Sequence, residues 1–169
     1  MVGVVQNMRD IDKVILNELV MSDLDSAILL AVKAHIGQVD QAGEPYILHP
    51  LRVMLTAQAW GMSVDEQIAA VLHDVVEDTD IPIESIHIEF GIEVSRLVSA
   101  LTREKGQDYE AYLSQVIRAG PSARRIKRID LLDNLTRIDA LYEHDEAAAS
   151  RLETKYHRGL ALLLAYRDG

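Results

Sequence analysis

Apolar residues recur at three- and four-residue intervals along most of this chain, and the glycines and prolines fall between the periodic stretches. No alternating stretch long enough to make a useful strand interrupts them. The pattern predicts an all-α, multi-helix fold, with helices over residues 10–20, 24–37, 50–59, 64–77, 82–90, 92–103, 109–119, 122–141 and 146–167. Local chemistry supports the boundaries. Ser22 and Ser63 open Ser-x-x-Asp and Ser-x-x-Glu start signals, Gly61 and Gly120 read as helix stops, and Pro50, Pro82 and Pro121 suit first-turn positions. The first helix carries Met8, Ile11, Ile15 and Leu19 on one side, and the last carries Leu152, Tyr156, Leu160 and Leu163. Both stripes suit core packing, with a homodimer interface as the alternative.

The polar positions are less ordinary. On a helix over 64–77, at roughly 100° per residue, His73, Asp74, Glu77 and Asp78 share an arc of about 140°, while Ile68, Ala69, Leu72, Val75 and Val76 face the other way. One His-Asp pair in isolation reads as a solvated acidic face. Here two further segments offer ligands. His49-Pro50 closes the loop over 37–49 and opens a helix, which places the imidazole near a positive helix end and predicts a lowered histidine pKa. On the helix over 122–141, Ile129, Leu131, Leu132, Leu135 and Ile138 make an apolar side, and Lys127, Asp130, Asn134 and Arg137 lie opposite. Two imidazoles and two carboxylates would form a mixed nitrogen and oxygen site suited to manganese or iron, and able to take zinc. Such a face can hold a metal and move a proton beside it.

Composition narrows the options. With 169 residues the chain reads as one domain, residues 1–169, large enough to bury about two-thirds of the surface its unfolded form exposes. It contains no cysteine, so thiolate metal sites and cysteine nucleophiles are excluded, and a reducing, cytoplasmic setting is expected. Neither a leader pattern nor a membrane-length apolar run is apparent. Seventeen basic against 27 acidic residues give a formal charge of -10, which opposes nucleic-acid binding but leaves small phosphorylated ligands open. Arg124, Arg125, Lys127 and Arg128 form a basic cluster that reads as an exposed helix face. His87, His144 and His157 lie outside any motif, and residues 103–106 read as a solvated turn, with contact to phosphate as the alternative if the loop faces the pocket.

Taken together, five stretches resemble the HD-domain hydrolases of the RelA/SpoT alarmone class, especially the small single-domain members. They are Ala34-His35-x-Gly37-Gln38, Gly43-Glu44-Pro45-Tyr46-Ile47-x-His49-Pro50, Leu72-His73-Asp74-Val75-Val76-Glu77-Asp78-Thr79, Phe90-Gly91 and Asp130-x-x-x-Asn134, within about residues 24–141. The resemblance implies one manganese ion on His49, His73, Asp74 and Asp130, with Glu77 and Asp78 acting on the attacking water. It places Asn134 at the nucleotide sugar and Tyr46 on the substrate side, where the polar face of the 122–141 helix also offers Lys127 or Arg137 to phosphate; His35 is expected to support the loop through a hydrogen bond, a role behind the site being as open to it as direct contact with substrate. The implied reaction removes pyrophosphate from the 3′ position of guanosine tetra- or pentaphosphate. Two departures stand out: Asp40-Gln41 occupies the place of a basic pair, and Leu132-Asp133-Asn134 that of Leu-His-Asn. Alternatives are hydrolysis of another nucleotide, such as a nicotinamide dinucleotide phosphate, and a noncatalytic nucleotide sensor.

Overall fold

A computed structural model describes residues 22–166; the helix expected over 10–20, with its Met8, Ile11, Ile15 and Leu19 stripe, lies outside them. Nine helical segments occur among the described residues: α1 (Asp23–Ala34), α2 (Leu48–Ala59), α3 (Val64–Leu72), α4 (Val75–Asp78), α5 (Ile83–Leu101), α6 (Tyr109–Ala119), α7 (Pro121–Thr136), α8 (Ile138–Tyr142) and α9 (Glu146–Ala165). No strand is present among them, and the loop between α1 and α2 is pinched by one isolated bridge between Val39 and Pro45.

α3 forms the centre because, past the polar first turn with Asp65 and Glu66, residues 68–72 are apolar on every side. Ala69, Ala70, Val71 and Leu72 are completely buried, and α1, α2 and α5 pack around them. Its start is fixed by the expected capping box: Glu66 N donates to Ser63 Oγ at 3.3 Å and Ser63 N to Glu66 Oε2 at 2.7 Å. Ser22 and Asp25 make the same arrangement at the head of α1. On the other side of the core, α7 packs against α2, α6 and α9.

The helix expected over 64–77 is two helices. α3 stops at Leu72, Asp74 takes φ -100° and ψ -7°, and α4 runs on from Val75. The break is invisible in the hydrophobic pattern because Val75 keeps the apolar spacing and is itself fully buried. Similarly, the helix expected over 122–141 breaks at Arg137 into α7 and α8. The boundary expected between residues 90 and 92 is present as a kink in α5, where Gly91 adopts φ 82°, a backbone region closed to most side chains. On α9, Leu163 is buried, and Leu152, Tyr156 and Leu160 pack against this chain's own core, so that stripe serves intramolecular packing.

Candidate active site

Three elements bring four donor atoms together. His49 comes from the first turn of α2, which starts at Leu48 instead of residue 50; His73 and Asp74 come from the break between α3 and α4, and Asp130 from α7. His49 Nε2 lies 3.1 Å from Asp130 Oδ1 and 3.6 Å from Asp74 Oδ2. His73 Nε2 lies 3.0 Å from Asp74 Oδ2 and 3.7 Å from Asp130 Oδ1. Ligands held about 2.0–2.2 Å from one ion sit about 3.0–3.6 Å from one another, so this spacing is that of a coordination shell. The sequence-predicted ligands therefore converge, and the α3–α4 break, not an unbroken helical face, is what allows it.

The outer nitrogens of both rings are held. His73 Nδ1 donates to Ala70 O at 2.8 Å, which turns Nε2 toward the carboxylates, where it is buried without a hydrogen-bond partner. His49 Nδ1 donates to Asp133 Oδ2 at 2.7 Å, and Arg52 grips the same carboxylate with Nε at 2.7 Å and Nη2 at 2.9 Å. A histidine fixed through one nitrogen by a carboxylate or carbonyl presents the other as a ligand. An unsatisfied Nε2 facing two carboxylate oxygens fits a divalent cation. Asp133 had read as a lost basic residue in the sequence; its place shows it orienting His49, a role signalled only by contacts 84 residues apart.

The electrostatics reverse one expectation. Burial pulls the His49 pKa down, but hydrogen bonds to Asp130 and Asp133 outweigh it and lift the ring to about 9. The expected lowering by the helix end is overridden by these carboxylates. His73, opposed by burial, is likewise raised by Asp74 and Asp130. Burial would raise Asp130, yet Lys127 and the two histidines hold it well below the carboxylate range. Metal binding requires unprotonated rings, so an ion at these donors would compete with protons for the two Nε2 atoms.

Beside the donors lies a second acidic group. Burial raises both Glu77 and Asp78 above the usual carboxylate range, with the Asp74 charge adding to each. Glu77 Oε2 accepts from Arg103 N at 2.8 Å, and Tyr46 Oη donates to Asp74 Oδ2 at 2.6 Å and lies 3.2 Å from Asp78 Oδ2. These residues line a cavity of about 310 Å³.

The remaining predicted residues are placed unevenly. Asn134 lines the cavity but turns its amide onto Asp130 Oδ1 at 2.7 Å. Lys127 is committed to Asp130 Oδ2 at 2.7 Å, and Arg137 lies 3.7 Å from Asp40 Oδ2. Asp40 also caps its own loop, since Oδ1 accepts from Ala42 N and Glu44 N at 2.9 Å each. His35 is buried off the cavity, bonded to Gln38 Oε1 at 2.8 Å, and Gln38 in turn donates to Asp78 O at 3.2 Å. This is the loop-supporting arrangement. The basic cluster on α7 is no exposed face: Arg124 is buried and donates to Ile117 O, Arg125 donates to Trp60 O, and Arg128 lies over the Trp60 ring. Sequence reasoning missed Tyr109, Lys155 and Tyr156, which also line the cavity, whereas Arg103 enters it from the turn for which a pocket-facing, phosphate-reaching place is the alternative reading. Of residues 103–106, only Arg103 turns inward; Glu104, Lys105 and Gly106 are exposed.

This architecture agrees with comparisons to known proteins. The profile of the HD domain matches residues 27–169. The chain belongs to the HD-domain family. A guanosine-3′,5′-bis(diphosphate) 3′-pyrophosphohydrolase of Aquifex aeolicus is 37% identical over 120 residues, covering 67% of this chain and 17% of that protein. The human guanosine-3′,5′-bis(diphosphate) 3′-pyrophosphohydrolase MESH1 is 36% identical over 102 residues, 57% of each chain. This HD-domain chain therefore spans less than a fifth of the first of these relatives and just over half of the second. A solved metazoan ortholog of SpoT that hydrolyses ppGpp superposes with a TM-score of 0.66 at 21% identity, over 87% of this chain and 96% of that one, and so shares the fold. A Listeria monocytogenes protein superposes with a TM-score of 0.60 at 27% identity, over 75% and 85%. Among the described residues no helix is long and apolar enough to cross a membrane.

Proposed function

We propose that this HD-domain chain is a divalent-metal-dependent pyrophosphohydrolase of the cytoplasm that removes diphosphate from the 3′ position of guanosine 3′,5′-bis(diphosphate). The observation that carries the reading is the set of four donor atoms, His49 Nε2, His73 Nε2, Asp74 Oδ2 and Asp130 Oδ1, spaced as ligands of one ion beside two carboxylates of raised pKa. The named activity of the relatives supplies the substrate. His49, His73, Asp74 and Asp130 would hold manganese, which suits mixed nitrogen and oxygen ligands. When bound, the ion supplies positive charge against the phosphoryl oxygens.

Glu77 is the base in this reading. Its carboxylate is fixed by Arg103 N, and its raised pKa brings it toward the range in which a base takes a proton efficiently near neutral pH. Water gives a proton to Glu77 as its oxygen bonds to phosphorus. The bond from phosphorus to the ribose O3′ breaks, O3′ takes up a proton, and diphosphate departs. Tyr46 holds Asp74 with its hydroxyl and keeps Asp78 beside it, so that the carboxylates keep their places as charge shifts. Asn134 steadies Asp130 from the sugar side of the cavity.

Product analysis tests the proposal. Incubation of the full chain with manganese and a panel of nucleotides should release GDP and pyrophosphate from guanosine tetraphosphate. Release of inorganic phosphate from a nicotinamide dinucleotide phosphate, with guanosine tetraphosphate untouched, would replace the substrate assignment; binding without products from any member would leave a sensor.

A further inference from the structure

Five cations line the cavity, and three of them are spoken for. Arg52 grips Asp133, Lys127 pairs with Asp130, and Arg137 lies against Asp40. Arg103 and Lys155 differ: among the described residues neither has a carboxylate at ion-pair distance. In a chain of net charge -10, leaving two cations without counter-charge inside one cleft is unexpected unless an anion arrives from outside.

The two are also held in position. Arg103 turns its guanidinium back on Gln107 O, to which both Nε, at 3.0 Å, and Nη2 donate, and its backbone N–H is anchored on Glu77. Both cations lie against Tyr109, the Arg103 guanidinium 5.8 Å and Lys155 Nζ 4.8 Å from its ring centre. Aromatic faces stabilise positive charge without neutralising it. Tyr109 can press this close to α9 only because residue 159 is glycine: a Cβ there would lie 2.6 Å from the tyrosine oxygen. Burial, reinforced by the charges of Lys127 and Arg103, lowers the Lys155 pKa against the opposing pull of Asp130 and Glu77.

We propose that Arg103 and Lys155, braced by Tyr109, form the subsite for the diphosphate of the substrate in the cavity that His49, Asp74 and Asp130 also line. The subsite rests on the proposed function for its place in the reaction, because a departing diphosphate needs counter-charge beyond that at the metal donors. Lys155 supplies a point charge and Arg103 the guanidinium N–H groups that Gln107 O leaves free, the two kinds of contact phosphate oxygens accept. Asp40 and Gln41, on the loop across the cavity, add no positive charge to help them.

Calorimetric titration of the full chain with inorganic pyrophosphate, with and without manganese, tests the subsite independently of turnover. Lys155→Gln and Arg103→Gln should each weaken binding about tenfold or more, as expected for loss of a charged hydrogen bond. Lys155→Arg should keep it within a few-fold, and Lys33→Gln, on the exposed side of α1, should leave it unchanged. Circular dichroism should show all four folded. No binding by the parent chain, equal binding by the parent and both glutamine variants, or loss in Lys155→Arg as complete as in Lys155→Gln would overturn the subsite. Because the readout needs no chemistry, a chain that binds pyrophosphate through these residues but leaves guanosine tetraphosphate intact would sink the proposed reaction alone. A chain that hydrolyses it with unchanged pyrophosphate affinity in the variants would sink the subsite alone.

Discussion

On one wall of the cleft, His49, His73, Asp74 and Asp130 are buried or nearly so, and each ring is clamped from behind by a carbonyl or a carboxylate. On the other, Arg103, Tyr109 and Lys155 are half-buried, and the cations meet aromatic faces instead of carboxylates. The first wall carries mutually compensating charges held in a packed frame; the second carries charge that no carboxylate at ion-pair distance compensates, held against carbonyl and aromatic groups. Low dielectric strengthens fixed interactions where charge must develop, while longer side chains near solvent suit the capture and release of an anion. Reaction and recognition thus divide between the walls, and variants on each should differ in kind as well as in size.

The largest effect is expected where the walls meet, at Glu77. Glu77→Gln should lower turnover on the order of 10²-fold or more while metal content and nucleotide binding persist, measured by steady-state kinetics beside equilibrium binding. An unchanged rate would pass the role of base to Asp78. Since burial raises the Glu77 pKa, the deprotonated base is lost as pH falls through a value above 4.5, so the acid limb of the rate profile should lie above the ordinary glutamate range and change in this variant.

Behind the metal wall, Asp133→Asn should weaken metal affinity about 10- to 100-fold, because His49 loses its charged anchor and Arg52 its partner. Metal titration would show it; an unchanged affinity would make Asp133 a surface partner of Arg52 only. On the loop, Gln41→Lys should lower the Michaelis constant for guanosine tetraphosphate a few-fold with little change in turnover, as a partly screened charge adds binding away from the reacting phosphorus. Asp40 is a poorer choice for this test, because its carboxylate closes the loop. The smallest effect belongs to the scaffold. Ser63→Ala should cost about 1 kcal/mol of stability without altering either wall. Glu66, its capping partner, has a lowered pKa: burial opposes the shift, and hydrogen bonds from Ser122 and Ser63 prevail. Its contribution is therefore present above the unfolded value near 4.5 and lost as pH falls through the folded one, so the Glu66→Gln penalty should fade in acid thermal melts.

The two walls were unequally legible in the sequence. His49, His73, Asp74 and Asp130 sit in segments whose local pattern marks them, and the helical periodicity around them is real. The breaks at Asp74 and Arg137 left no mark, because apolar spacing continues across both and only backbone dihedrals record the turn. Asp133 was readable as a residue but not as a role, which depends on His49 and Arg52 arriving from another helix. Arg103, Tyr109 and Lys155 carry no local motif. They become a group only when α9 packs over α6, and the glycine that admits Tyr109 looks like any other in the sequence.

The account stands or falls on whether His49, His73, Asp74 and Asp130 hold a metal. Elemental analysis of the purified chain after manganese loading and desalting, beside circular dichroism, measures this directly. The predicted result is one ion per chain, lost on His73→Ala and on Asp130→Ala with helicity preserved. Full retention of the ion in both folded variants would contradict the account.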